Sequence, residues 1–344
     1  MTRRQFLPAA AMAAASAAEP IRTGILGTQH SHLTSKMKAM LETPDYKIVA
    51  ACEPDEASRR RRQADPQFRN IPWVPEAELL ADPSIRFVLV ECKVWEAIAW
   101  GRKVIAAGKH LHLEKPPSPE MAPFRELVEE ARRKKLAIQL GYGYRFDDAI
   151  GAALDAAKKG WLGEVQLVRA TMNSDRDAAQ RAIEARYPGG AMFELGGHMI
   201  DRIVELLGRP RDVRAWIRHD TSVKDTLADN TLAVLEYEKA LATISIHAKM
   251  AGAGQHRSFE VIGTDGTFFI QPISGTRLMR AHMRKAQGPY RAGWQEIQVP
   301  AQQGDVREFE DLARAIRTGQ PLRYSYDHEL LVHETLLRAS AHAS

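Results

Sequence analysis

Glu194, His198 and Asp201 stand at i, i+4 and i+7 within Gly189-Gly190-Ala191-Met192-Phe193-Glu194-Leu195-Gly196-Gly197-His198-Met199-Ile200-Asp201. On a helix that spacing makes one polar stripe. An imidazole beside a carboxylate on an otherwise apolar helix is poised to act as a general base. The competing reading is a hydrogen-bonded core histidine flanked by solvated acids, and these residues alone leave both open. Phe193, Leu195, Met199, Ile200, Ile203, Val204 and Leu207 would bury such a helix. Gly196 and Gly197 inside it each cost about 1 kcal/mol relative to alanine, which points to a close backbone approach there.

Two further stretches carry candidate chemistry. Glu114-Lys115-Pro116 follows the apolar run that ends at Leu113. If that run is a parallel strand, Lys115 projects into the crevice where open α/β sheets bind ligands. An ammonium there can hold a substrate hydroxyl and stabilise a developing alkoxide; the bland alternative is a surface lysine. The first strand and turn read Gly24-Ile25-Leu26-Gly27-Thr28-Gln29-His30-Ser31-His32. Gly27 permits a tight turn, and the helix that follows offers free N–H groups to a pyrophosphate. Positions 29 and 32, where a dinucleotide fingerprint has glycines, are Gln and His. Glu53 ends the second predicted strand, where a carboxylate takes adenosine ribose hydroxyls and favours NAD over NADP. His30 and His32, like His110 and His112, lack a clear carboxylate or cysteine partner at metal-ligand spacing, so no metal is assigned.

The elements that must position these groups fall into two textures. Strands at Ile21–Gly27, Lys47–Cys52, Phe87–Val90, His110–Leu113 and Ala137–Leu140 alternate with helices at 31–41, 94–107 and 120–135 and an Arg-rich helix after Cys52. That alternation of short apolar runs with helices predicts a parallel, doubly wound sheet. After about Phe146, a helix ending at Lys159-Gly160 and strand-like Val165–Met172 precede the glycine-flanked helix. Alternating runs follow at 213–217, 231–237, 242–248, 258–262 and 267–270, with a hairpin turn at Gly263–Gly266. A mostly antiparallel open sheet with helices on one face is expected, and helices at 306–318 and 327–341 are expected to pack back. The predicted division is 1–18 leader, 19–145 nucleotide-binding domain and 146–344 substrate and oligomerisation domain.

Bulk properties exclude several classes. The composition, 44% hydrophobic and 26% charged, is that of a globular chain with room for two domains. A formal charge of +5 is too mild to indicate nucleic acid, and Arg59 to Arg62 reads as a solvated helix face. Past the amino terminus no apolar run is long enough to cross a membrane. Cys52 and Cys92 are the only cysteines and read as core thiols. Thr2-Arg3-Arg4-Gln5-Phe6-Leu7 and the Ala-rich run to Ala18 resemble a twin-arginine export signal with cleavage near Ala17 or Ala18. A periplasmic or secreted location is therefore expected.

Taken in order, Glu114-Lys115-Pro116, Tyr142-Gly143-Tyr144-Arg145-Phe146 and the Gly-Gly…Glu-x-Gly-x-His-x-x-Asp helix resemble one family. It is the glucose–fructose oxidoreductase/inositol dehydrogenase family, abbreviated Gfo/Idh/MocA. Phe259 to Thr267 is similar to its second-domain hairpin. The resemblance implies a Rossmann domain and a tightly held NAD, with NADP less favoured. Gly27, Thr28, Gln29, His30, Glu53, Glu91, Glu114 and Lys115 are the implied cofactor contacts. It implies Lys115, Glu194 and His198 as the catalytic group. His198 would take the hydroxyl proton, Glu194 would orient His198, and Lys115 would hold the reacting oxygen. Arg145 and Asp201, with His198, would contact substrate or tie the domains together. Departures from the family pattern are the missing glycines, Glu194 in place of Asp, and Lys93 and Ala97 in place of a Pro and a His.

The activity so implied is NAD(P)-dependent oxidation of a sugar, cyclitol or related polyol, in a homo-oligomer formed through the second sheet. Outside the cytoplasm there is no free nicotinamide pool, so an exported member must regenerate its cofactor in place. Either a second carbonyl takes the hydride back, or oxidation, elimination and reduction give a redox-neutral glycoside hydrolase or lyase. A carbohydrate-binding relative without catalysis is the third possibility.

Overall fold

The computed structural model describes residues 19–273, 277–299 and 304–341. The leader-like segment 1–18 lies outside them. The amino-terminal sheet contains β1 (Ile21–Leu26), β2 (Tyr46–Cys52), β3 (Phe87–Val90), β4 (His110–Leu113) and β5 (Ile138–Leu140). All pair in parallel in the order β2-β1-β3-β4-β5. The side chains of β1, β3, β4 and β5 are almost wholly buried because helices cover both faces, the arrangement parallel sheets require, while the edge strand β2 is buried from Ala50 to Cys52. The helices are α1 (Leu33–Leu41), α2 (Glu56–Gln63), α3 (Glu76–Ala81), α4 (Val94–Ala106) and α5 (Met121–Lys134). β1 lies between β2 and β3, so the chain reverses its winding there and opens a crevice at the carboxyl ends.

The second unit begins with α6 (Asp148–Lys158), β6 (Val165–Thr171), α7 (Ala178–Glu184) and α8 (Ala191–Leu207). Its remaining strands are β7 (Asp212–Arg218), β8 (Asn230–Glu236), β9 (Leu241–His247), β10 (Ser258–Gly263), β11 (Gly266–Ile270), β12 (Arg277–Met283) and β13 (Gly293–Val299). They form an eight-stranded sheet in the order β13-β12-β11-β10-β6-β9-β8-β7, antiparallel except for β6 against β9. The fold is thus α/β, with a parallel doubly wound sheet followed by a mostly antiparallel one. One face of the second sheet packs on α6 and α8. On that sheet Trp216 and Leu232, paired directly across β7 and β8, are exposed.

Two helices close the chain. α9 (Gly304–Thr318) returns to the first unit, where Phe309, Leu312, Ala313 and Ile316 share a core with Ile25, Leu33, Met37 and Phe87. α10 (Tyr326–Ala339) packs against α8 and α5. Its Ser325 cap accepts the His328 N–H, satisfying one donor at the helix start. α8 is buried along nearly its whole length. At Gly197 a Cβ would stand 2.9 Å from the Tyr142 ring and 3.0 Å from its hydroxyl. The glycine is therefore needed for the approach of the residue 142 strand exit to α8.

Candidate active site between the two sheets

A cavity of about 820 Å³ opens at the carboxyl edge of the parallel sheet and is walled on its far side by α8 and neighbouring loops. Gln29, His30, Glu114 and Lys115 line it from the first unit, and Glu194 and His198 from the second. Six of the residues singled out in the sequence thus share one space. Glu91 is fully buried behind the turn, whereas Gly27, Thr28 and Glu53 lie beneath it. Both cysteines are buried free thiols, and burial raises that of Cys52 to about 11.

The first turn is built around two residues. Gly27 has φ +82°, and a Cβ on it would stand 2.3 Å from the Trp100 ring and 3.0 Å from the Glu91 carbonyl. No other residue fits there without displacing the turn. Glu53 then staples the turn from below. Its Oε2 accepts from the Thr28 N–H (2.7 Å) and Oγ1 (2.9 Å), and its Oε1 from Asp55 N–H (2.9 Å) and Gln29 Nε2 (3.2 Å). With both oxygens used and only 2% of the residue exposed, Glu53 holds the turn and does not offer itself to ribose hydroxyls. Asp55, Ser58 and Arg61 face the cavity at that end in its place. The N–H groups of Gln29 and His30 both point at the Glu91 carbonyl, at 3.0 and 3.4 Å.

Behind the turn, Lys36 bridges two carboxylates. Its Nζ donates to Glu91 Oε1 at 2.9 Å and to Glu114 Oε1. Burial pushes the Glu91 carboxyl up to about 7, against the pull of Lys36. Burial works the same way on Glu114, but there Lys36, His30 and His32 outweigh it and hold the group well below the usual carboxylate range. One carboxylate is thereby kept charged while its neighbour titrates near neutrality. The sequence signal for Lys36 was its place at a core position of α1: Leu33, Met37 and Met40 on the same face are all buried. His112 gives Nδ1 to Gln139 Oε1 at 3.0 Å, and its Nε2 has no partner. Glu91 and Glu114 are the carboxylates near it, supplied by strand ends distant in sequence. His110 accepts the Ala137 N–H instead.

Across the cavity, Lys115 reaches α8. Its Nζ donates to Glu194 Oε1 (2.9 Å) and to the Glu194 carbonyl (3.1 Å). Glu194 therefore orients Lys115 rather than His198, contrary to the sequence expectation. The extra methylene of Glu over Asp lets the carboxylate turn back over its own carbonyl to meet the ammonium. His198 instead stands edge-on to the rings of Tyr142 and Tyr144, with centroids 5.9 and 5.4 Å away. Burial, reinforced by Lys115, holds its imidazole well below the ordinary histidine range, so it is unprotonated at neutral pH. Its Nδ1 is buried without a hydrogen-bond partner, a deficit that a ligand hydroxyl can close.

Arg145 and Asp201 sit elsewhere. Arg145 makes a bidentate pair with Glu329 of α10, both bonds at 2.6 Å, and donates to Asp201 Oδ1 at 2.8 and 3.1 Å. Arg202 and His328 complete the bonds to Asp201. None of these side chains lines the cavity, so the placement runs against substrate contact for Arg145 and Asp201. On the second unit's wall the sequence reading missed Arg176, Tyr187 and Arg257, which lie in loops or at an element edge where no periodic pattern marks them.

A parallel sheet with a crevice at its winding reversal, facing a buried Lys–Glu–His group, defines a nucleotide-dependent oxidoreductase architecture. The chain belongs to the Gfo/Idh/MocA family. Residues 21–142 match its oxidoreductase, NAD-binding Rossmann fold model and residues 151–269 its C-terminal domain model. An uncharacterized oxidoreductase of Schizosaccharomyces pombe is 30% identical over 212 residues, covering 59% of this chain and 56% of that protein. The match thus spans little more than half of that relative's length. The trans-1,2-dihydrobenzene-1,2-diol dehydrogenase of Macaca fuscata fuscata is 29% identical, covering 57% of this chain and 60% of the enzyme. An Agrobacterium radiobacter oxidoreductase, solved with NAD+, L-tartaric acid and magnesium, superposes with a TM-score of 0.78. It is 16% identical, with 92% of this chain and 94% of that one covered.

The cavity suits a nicotinamide dinucleotide in place and in size. Gly27 supplies the tight turn, Asp55, Ser58 and Arg61 are set for the adenosine end, and Lys115 and His198 for the reacting end.

Proposed function

We propose that the protein oxidises a secondary hydroxyl of a sugar, cyclitol or related polyol at this cavity, with a retained NAD(P). The observation that carries the reading is the anchoring of Lys115 on Glu194. It holds the ammonium on a residue one helical turn before His198, about 6 Å of rise along α8, and both side chains line the same cavity. When bound, the nicotinamide supplies the acceptor for the hydride. Lys115 donates a hydrogen bond to the carbinol oxygen and opposes the charge that develops there. The unprotonated His198 would receive the hydroxyl proton as the alcohol becomes a ketone, and would be left as an imidazolium. Glu194 keeps the Lys115 ammonium aimed at the oxygen. The diol and hydroxy-acid ligands in the names of the relatives support a polyhydroxylated substrate.

Protein purified without added nucleotide should release NAD or NADP on denaturation, identified by mass spectrometry. A panel of sugars and cyclitols should raise the near-ultraviolet band of reduced nicotinamide in the intact protein. Absence of both nucleotide and band, even after nucleotide is supplied, would overturn the reading. Aglycone released from a glycoside with no net oxidation would move it to the redox-neutral route. The reading extends to twin-arginine export, on the strength of Arg3-Arg4 and the Ala-rich run after them. Replacing both arginines with lysine should leave the full-length chain in the cytoplasmic fraction; undiminished export would remove this part.

A further inference from the structure

We propose that His30, His32, Glu114 and Glu91 hold a divalent transition-metal ion on the wall of the cavity, next to Lys115. His30 Nδ1 accepts the His32 N–H in a long 3.3 Å bond, so that nitrogen carries no proton there, and an ion would replace the His32 N–H on its one lone pair. It nevertheless faces two carboxylate oxygens, Glu91 Oε2 at 3.6 Å and Glu114 Oε2 at 3.8 Å. Glu91 Oε2 is buried and has no hydrogen-bond partner. Lone pairs converging in a buried place repel one another unless a cation lies among them. His32 Nδ1–H donates to Glu114 Oε1 at 3.1 Å and would become a fourth donor on giving up that proton; donor atoms of His30, His32 and Glu114 all lie within 4.8 Å of one another. Nitrogen and oxygen ligands about 2.0–2.2 Å from one ion stand roughly 3–3.6 Å apart, so side-chain rotations that move donor atoms by about an ångström close the set.

Lys36 does not fill this role. It bonds Oε1 of both carboxylates and leaves Oε2 of each turned toward His30; Glu114 Oε2 also accepts the Lys115 N–H at 3.0 Å, whereas Glu91 Oε2 has no partner. The mixed imidazole–carboxylate donors select zinc, iron or cobalt over magnesium, which prefers an all-oxygen shell. His32 stands at one of the two positions where a fingerprint glycine is missing, and Gln29 at the other.

The test uses the full folded chain, stripped with chelator and with no substrate or nucleotide added, so that its outcome is independent of the oxidoreductase reading. Titration with Zn2+ and with Co2+, followed by calorimetry and elemental analysis, should give about one ion per chain. Bound Co2+ should show visible bands of an imidazole-ligated site. His30→Ala should abolish the Co2+ bands, and Glu91→Gln should weaken binding at least about 10-fold. Lys36→Met should tighten it, because the competing ammonium is gone. Circular dichroism confirms that each variant is folded. No stoichiometric binding, or binding unchanged in both His30→Ala and Glu91→Gln, would overturn the proposal.

Discussion

Lys115→Ala should lower kcat/KM by roughly 10²–10³-fold, the effect of losing one donor to a developing oxyanion. His198→Asn should lower it by about 10²–10⁴-fold through loss of the base. The double variant should fall well short of the product of the two, since both act on the same oxygen and its proton. Glu194→Gln keeps a hydrogen-bond acceptor for Lys115 but removes the charge that fixes it. Its loss should be smaller and lie mostly in kcat. pH adds a second readout. The folded His198 titrates below the ordinary histidine value near 6.5 because of burial and Lys115. The base therefore stays unprotonated as pH falls through about 6.5, and the acid limb of kcat/KM should lie below that value. An acid limb at the ordinary histidine value, or a Lys115→Ala enzyme with wild-type turnover, would contradict these roles.

The second large effect falls on stability. Arg145→Ala should destabilise the fold by about 3–5 kcal/mol, the penalty for breaking a buried ion pair by removing one partner. Arg145 is enclosed by Glu329 and Asp201, with the rings of Tyr142 and Tyr324 at 5.0 and 4.4 Å. Truncation leaves the Glu329 carboxylate buried without its bidentate partner. Asp201 keeps Arg202 and His328. Arg145→Leu combined with Glu329→Leu should recover part of the loss, because no lone charge then remains there. Urea unfolding measures both variants, and the folded fraction of Arg145→Ala should keep its KM. A raised KM at unchanged stability would restore Arg145 to substrate contact. The acid sign is fixed as well. Burial acts to raise the Asp201 carboxyl, but Arg145 and Arg202 prevail and hold it well below its usual value. Its share of stability is complete above about pH 3.9 and is lost as pH falls through the folded value.

The legible part of the fold was the buried part. β3 and β4 run over the residues the apolar runs marked, Phe87–Val90 and His110–Leu113. α8 carries Glu194, His198 and Asp201 on one helix as the spacing required. β12 and β13 were missed. β13 alternates half-buried with exposed positions at the margin of the sheet, so only three of its seven residues are apolar. α3 and α7 were missed too; they span six and seven residues, too short for a helical period to stand out.

What the amino-acid order determined was which chemical groups exist and roughly which strand end or helix face each occupies, because periodicity is a local property of the chain. Which partner each charged group takes was decided only by the tertiary structure. Glu194 is four residues from His198 yet binds Lys115; Glu53 closes the turn instead of facing a ligand; Asp201 joins Arg145, Arg202 and His328. Electrostatic partners are chosen by distance in a desolvated interior, and groups far apart in the chain can be nearer there than sequence neighbours.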